Sequence, residues 1–366
     1  MQFIDLNKQY QLYKNEILKG IEEVLDGGQY ILGKQVLDLE SKLAEFVGVS
    51  DCITVSSGSD SLEIALMALG IGSDDEVITV PFTFIATAQA IALRGAKPVF
   101  VDIEPDTYNI DISKIEQAIT SKTKAIMPVS IFGQMPDYDA INTIAKKHGL
   151  AVIEDGAQSF GATQNGKQSS ANTTIGSTSF FPAKPFGCYG DGGALFTNDT
   201  TLAQSMRALR THGGQVRDHY PLLGFNGRFD TIQAAILLAK FPHFTSELEQ
   251  RQIIGKRYNE KLKNFCQPPK TAAGNTHIYA QYTIRIKERD KIKETLGKKG
   301  IPTGVYYSKC LHMQPSFAYL DYHWGDFPVA EQASLEVLSL PMHPWLEKSD
   351  QDKIIGALEE AVTVHA

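Results

Sequence analysis

Residues 52–80 read CITVSSGSDSLEIALMALGIGSDDEVITV. CITV (52–55) reads as a buried strand, and SDSLEIALMAL (59–69) sets Leu62, Ala65, Leu66 and Leu69 at helical spacing. EVITV (76–80) returns to strand character, so the stretch predicts a strand–helix–strand unit. The alternation continues with a helix from about Ile85 to Leu93 and the strand AKPVFVDI (96–103). A short helix follows at DISKIEQAI (111–119), then the strand TKAIMPV (123–129). The helix YDAINTIAKKHG (138–149) has a glycine stop and leads into the strand LAVIED (150–155). Strands separated by helices of this length imply a mostly parallel sheet with crossover helices on both faces. Downstream, STSFF (177–181) and GALFTN (193–198) read as strands flanking a glycine-rich stretch, and a long helix spans about Asp230 to Leu262. PPK (268–270) is the expected hinge, after which HIYAQYTIRI (277–286) opens an α+β unit. The expected division is a large domain at 1–250 and a smaller C-terminal one at 251–366.

The 366 residues carry 35 Lys+Arg against 42 Asp+Glu, a net charge of −7. With no basic block, that charge argues against nucleic-acid binding as the main task. At 43% hydrophobic and 21% charged, the composition is that of a globular chain and too apolar for disorder. No run approaches the ~18 apolar residues of a membrane span, and MQFIDLNKQYQLYKNEI lacks the apolar centre of a signal peptide. Cys52, Cys188, Cys266 and Cys310 show neither CxxC spacing nor His partners, which fits reduced thiols in a cytoplasm and no zinc site.

In an open α/β sheet, ligands gather at the C-terminal strand ends. Ser56-Ser57-Gly58-Ser59-Asp60 joins a strand to a helix, where free N–H groups and the positive dipole end suit an anion. The same residues also make an ordinary helix cap. Asp155 ends a strand and is followed by Gly156; it can face a ligand or cap the next segment. Glu154 beside it points to the opposite face by strand alternation. Lys184 lies between two prolines, with Phe180, Phe181 and Phe186 nearby. An apolar setting disfavours its ammonium form and makes available the neutral amine that Schiff-base chemistry requires.

These segments, in this order, resemble pyridoxal-phosphate enzymes of aspartate-aminotransferase fold, and more closely the DegT/DnrJ/StrS family of nucleotide-sugar aminotransferases. The likeness is carried by FIDLNKQY (3–10), GGQYILG (27–33), SSGSDSL (56–62), VPFTFIAT (80–87) and FVDIEPDTYNID (100–111). It continues through PVSIFGQ (128–134), IEDGAQSFGA (153–162), SFFPAKPFGCYGDGGALF (179–196), GFNGRFDTIQAAIL (224–237), TGVYYSKCLHMQPSF (303–317) and SLPMHP (339–344), almost end to end. The resemblance implies a large, mixed, mostly parallel sheet domain plus a smaller α+β domain, with pyridoxal 5'-phosphate as cofactor. It makes Lys184 the Schiff-base lysine and proton shuttle, and Asp155 the partner of the pyridinium nitrogen. Gln158 would bond the phenolic oxygen and Phe84 stack on the ring, unless Phe84 merely packs. Gly58, Ser59 and Ser179 would hold the phosphate, with Asn226 reaching it from the neighbouring subunit of a homodimer with shared active sites. Arg228 is either a substrate anion ligand or an ion-pair partner of Asp230. Tyr306 and Tyr307 line the sugar pocket or sit in the second domain's core. His312 and His343 have no metal-like spacing.

The implied reaction is transfer of an amino group from L-glutamate to the ketone of a nucleotide-linked sugar. Arg228-x-Asp230 is spaced as in family members that aminate C3, and the motifs resemble the UDP-linked 3-keto-glucuronate type feeding bacterial surface polysaccharide. The alternatives are a dTDP-3-keto-deoxyhexose, a UDP-4-keto-sugar or, from another class, a DNA-binding regulator. Three positions depart from the family: Gly156 for the usual Ala, Gly227 for Ser or Tyr, and Tyr306 for a His of some glucuronate-type enzymes.

Overall fold

The computed structural model describes residues 1–365. Its main sheet has seven strands: β1 (Asp51–Val55), β2 (Glu76–Thr79), β3 (Lys97–Phe100), β4 (Thr123–Ile126), β5 (Ala151–Asp155), β6 (Ile175–Ser179) and β7 (Gly193–Thr197). Their order is β1-β7-β6-β5-β4-β2-β3. All neighbours pair parallel except β7, which runs antiparallel to both β1 and β6. Gly193 of β7 faces Val55 on one side and Ser179 on the other, so the C-terminal ends of β1 and β6 lie abreast. Asp155 pairs with Ser177, which brings the end of β5 to the same edge.

The helices are α1 (Leu6–Gly27), α2 (Lys34–Val47), α3 (Gly58–Ala68), α4 (Ala86–Leu93), α5 (Tyr138–His148), α6 (Thr200–Leu209), α7 (Thr231–Leu262), α8 (Arg289–Lys298), α9 (Pro328–Glu336) and α10 (Lys348–His365). Local chemistry explains their ends. Asp137 caps α5 by accepting the Ala140 N–H at 3.0 Å, and Gly149 ends it with φ of 67°, a conformation glycine adopts without strain. The helix expected at 111–119 is broken into a 3₁₀ turn (Ile112–Lys114) and a single α turn (Ile115–Ala118). There Asp111 accepts both the backbone N–H and the hydroxyl of Ser113, a local bond that competes with regular helix.

A second, two-stranded antiparallel sheet joins β8 (Tyr282–Arg285) to β9 (Val337–Leu340). Of the stretch 277–286 that opens the second unit, only Tyr282–Arg285 forms a strand. Tyr279 takes φ of 48°, and the Ile278 N–H is given to the Gly133 carbonyl at 2.9 Å instead of a sheet partner. Helix α7 serves two cores: Ala234, Leu237 and Phe244 pack on the large sheet, while Ile254, Tyr258 and Leu262 pack with Ile284, Leu338 and Leu358. Residue 250 lies between these two sets. Among the described residues no helix is long and apolar enough to cross a membrane, and no His/Cys/Asp/Glu cluster could hold a metal ion. The four cysteines are free.

Candidate active site

Helix α3 opens at the edge where β1 and β6 end. Ser57 Oγ takes the Asp60 N–H at 3.0 Å and the Ser57 carbonyl takes the Ser61 N–H at 3.1 Å. The first-turn N–H groups of Gly58 and Ser59 remain for a ligand. A Cβ on Gly58 would stand 2.6 Å from the Ser179 Cβ, so only glycine lets Ser179 approach this helix end. Ser61 Oγ fastens the junction, 2.5 Å from Ser177 Oγ and 2.7 Å from the Gly58 carbonyl. The result is a tight cradle of N–H groups and a hydroxyl, which fits a phosphate.

Asp155 ends β5 beside this cradle, fully within the protein. Its Oδ2 accepts the Thr87 hydroxyl at 2.7 Å and its Oδ1 the Ala157 N–H at 3.2 Å. Burial raises its pKa above the usual value, against the pull of these bonds and of Lys184. Lys184 occupies a turn whose N–H bonds the Phe181 carbonyl at 2.8 Å. Burial lowers its pKa, and the Asp155 charge opposes this. The aromatic setting differs from the expected one. Phe180 and Phe186 are core residues packed with Phe160, while Phe181 is 52% exposed, so the three rings do not enclose the lysine. Segment 180–186 sends rings two ways because it is a turn rather than a continuing strand.

Three residues after Asp155, Gln158 is buried and doubly engaged. Its Oε1 accepts the Phe132 N–H at 2.8 Å, and its Nε2 donates to Tyr307 Oη at 3.0 Å, with one amide hydrogen still to give. The Asp155 charge acts on Tyr307 too, whose pKa is raised chiefly by burial. Phe84 is 55% exposed, its ring 6.3 Å from that of Tyr307, whereas Phe82 two residues earlier is fully buried. Tyr306 is half-buried, 6.3 Å from the Phe3 ring.

The Arg228 segment lies at the same helix end, where the Ser56 N–H bonds the Gly227 carbonyl at 3.0 Å. A cavity of about 500 Å³ is lined by Ser57, Asp60, Asp191, Arg228, Asp230 and Gln233, among others. Arg228 forms no ion pair with Asp230 among the described residues, and its buried Nε has no partner there. Asn226 is exposed, on a loop whose Tyr220 and Leu223 are also exposed, Leu223 to 92%. His312 is a buried partner of Glu331 at 3.1 Å and His343 is buried, both apart from this chemistry. Sequence reading missed Thr87, Asp191 and Gln233. Thr87 closes the VPFTFIAT run, and its hydroxyl one helical turn beyond Thr83 was the available signal.

Comparison with known proteins is consistent end to end. A family model described as the DegT/DnrJ/EryC1/StrS aminotransferase family matches residues 11–359. The chain is 49% identical to a Pseudomonas aeruginosa UDP-2-acetamido-2-deoxy-3-oxo-D-glucuronate aminotransferase, covering 98% of this chain and 99% of that one. It is 46% identical to a Geobacillus stearothermophilus protein named pleiotropic regulatory protein, over 98% and 97% of the two chains. Among solved structures, S. venezuelae DesV in complex with a ketimine intermediate superposes with a TM-score of 0.97 at 35% identity, covering 99% of this chain and 98% of the other.

Proposed function

The chain belongs to the DegT/DnrJ/EryC1/StrS aminotransferase family, pyridoxal-phosphate-dependent enzymes of nucleotide-sugar metabolism, and from that premise we propose its substrate and the roles of its residues. The amino donor is L-glutamate. The acceptor is the C3 ketone of a UDP-linked keto-sugar, UDP-2-acetamido-2-deoxy-3-oxo-glucuronate, made for bacterial surface polysaccharide. The observation that carries this reading is the 49% identity, spread over 98% of the chain, to an enzyme named for that substrate.

In this reading Gly58, Ser59 and Ser179 would hold the cofactor phosphate at the α3 terminus, and Phe84 would pack against the ring. Asp155 would pair with the ring nitrogen, and Gln158 would give its remaining amide hydrogen to the phenolic oxygen. Bound pyridoxal phosphate supplies an electron sink for the carbon that loses or gains a proton. Lys184, drawn toward the neutral amine by burial, takes up a proton at Nζ in one half-reaction and returns it in the other. Arg228 grips the C5 carboxylate of the sugar through parallel hydrogen bonds, supported by its unpaired Nε and by the absence of an ion pair to Asp230 among the described residues. Tyr306 and Tyr307 border the sugar. The active unit is a cytoplasmic homodimer in which Asn226 reaches the neighbour's phosphate; exposed apolar residues on its loop support this. The domain division is drawn at 250/251, where α7 passes from one core to the other, although Cys310, Phe317 and Ala330 beyond it pack with Ile78, Phe100 and Ile126 of the large sheet.

A regulatory reading draws on the name of the Geobacillus relative. The acidic net charge and the intact Lys184 favour catalysis. The test is a panel of UDP- and dTDP-keto-sugars mixed with the amine form of the enzyme, with products assigned by NMR. A UDP-3-keto-glucuronate derivative aminated at C3 is the expected outcome. An amine on C4, or turnover of the dTDP-sugars alone, would overturn the substrate assignment. Borohydride reduction and peptide mapping should mark Lys184; label on Lys167 or Lys309 would refute its role.

A further inference from the structure

Helix α7 carries a polar stripe through the protein interior. Gln233, Lys240 and Glu247 recur every seven residues and so share one face, and Arg251 extends it by a turn. Lys240 is 3% exposed, and Glu247 and Arg251 are equally enclosed. One end of the stripe grips the turn that follows Lys184. Gln233 Oε1 accepts the Tyr189 N–H at 2.9 Å, and its Nε2 donates to the Tyr189 carbonyl at 3.4 Å. Lys240 Nζ donates to the Gly187 carbonyl and stands 4.7 Å from the centre of the Tyr189 ring, within cation–π range. At the other end Glu247 accepts from Tyr13 Oη at 2.7 Å and Gln9 Nε2 at 3.3 Å, both on α1. Arg251 Nη1 donates to the Tyr279 carbonyl at 3.1 Å.

A buried lysine is costly, and a methionine would fill much the same volume without that cost. Burial brings the Lys240 ammonium down to about 8, with Glu247 working the other way. The hydrogen bond it makes is to a carbonyl three residues beyond Lys184. That turn is closely folded: a Cβ on Gly187 would stand 2.6 Å from the carbonyls of Phe181 and Pro182, the residues just before Lys184. Holding Gly187 therefore fixes the chain on both sides of the lysine.

We propose that Lys240, with Gln233, is a positioning residue for the reaction: it clamps the 187–189 turn to α7 and so sets where Lys184 stands relative to Asp155. The proposal rests on the reading of Lys184 as the reactive lysine. Lys240 is enclosed behind the turn and acts through it; Gln233 also lines the Arg228 cavity, and its part in the clamp is its two bonds with Tyr189.

Lys240→Met keeps the buried stem and removes the ammonium. In the full-length chain without cofactor, hydrogen exchange of peptides covering 181–191 should speed up about tenfold, as for a local opening, while those covering β5 stay unchanged. In the loaded enzyme, kcat should fall about ten- to a hundred-fold, the range for a misplaced reacting group, with KM for the sugar little altered. Unchanged exchange in 181–191, or equal loosening of every peptide, would overturn the clamp. Should Lys240→Met yield no folded protein, Gln233→Met, which spares the buried charges, takes its place and is judged by exchange in 181–191 alone, because Gln233 also lines the Arg228 cavity. The exchange result needs no cofactor, so it stands apart from borohydride mapping: a label away from Lys184 refutes the lysine assignment, whereas the clamp is judged by exchange.

Discussion

Glu154 and Asp155 are consecutive carboxylates at the end of β5, and the two faces of that strand give them opposite surroundings. Glu154 points into a cage of hydroxyls. Ser130 Oγ and Ser169 Oγ donate to its Oε1 at 2.8 and 2.6 Å, and the Ser170 N–H donates to its Oε2 at 2.7 Å. Asp155 has two donors, Thr87 and Ala157, and shares its surroundings with Lys184 and Tyr307. Burial raises both pKa values, so burial alone does not separate the functional acid from the structural one. Saturation does. A carboxylate whose partners are all internal holds loops together, whereas one with spare acceptor capacity beside a lysine can serve a ligand.

The largest effect should follow from breaking the ligand-facing member. Asp155→Asn keeps the shape but cannot stabilise a cationic ring nitrogen, and kcat/KM should drop about 10²–10³-fold, as when one preorganised electrostatic partner is lost. Steady-state kinetics check this, and a loss below about tenfold, or 1.4 kcal/mol, would reverse the assignment of the two faces. Glu154→Gln should do the converse. It places an amide N–H₂ among groups that need an acceptor, costing about 2–3 kcal/mol in urea unfolding at pH 5 while leaving kcat close to wild type.

Gly156 sharpens the comparison because it directly follows Asp155 yet packs against the Glu154 cage. A Cβ there would meet the Ser177 carbonyl at 2.8 Å, Ser169 Oγ at 3.1 Å and Glu154 Oε1 at 3.2 Å. Gly156→Ala should therefore cost about 1–3 kcal/mol of stability, because the nearest atom is the backbone carbonyl of Ser177 in β6 and not a mobile side-chain end. A neutral or stabilising result in thermal unfolding would show that the cage gives way freely.

The smallest expected signal is pH dependence. Burial lifts Glu154 above the usual 4.5, so the folded chain retains its proton to higher pH than the unfolded chain. That contribution is complete below about 4.5 and is lost as pH rises through the folded value. Glutamine has no such titration, so the stability gap between wild type and Glu154→Gln should narrow as pH is raised from 4. A gap that widens would mean that the cage favours the charged carboxylate.

The sequence by itself determined the alternation of strands and helices from residue 52 to 155, apart from the broken helix at 111–119, because apolar periodicity is a local property. It also located Asp155 and Ser56–Asp60 at strand ends and Lys184 in the turn region after a strand, since polar or small residues directly following an apolar run are a local signal. Alternation alone placed Glu154 and Asp155 on opposite faces. Tertiary structure decided the rest. The antiparallel insertion of β7 between β1 and β6 sets Gly58 against Ser179, two residues 121 positions apart in sequence, and no local pattern encodes that meeting. Phe82 and Phe84 look alike in VPFTFIAT, yet one is core and the other is exposed beside Tyr307. The Thr87–Asp155 bond and the Gln158–Tyr307 bond form only after three distant segments pack together. The stripe on α7 reads in sequence as ordinary polar residues of a long helix. Only the packing of α1 and of the 187–189 turn against it decides that Lys240 is buried and bonded there, because burial depends on what the rest of the chain brings to a surface.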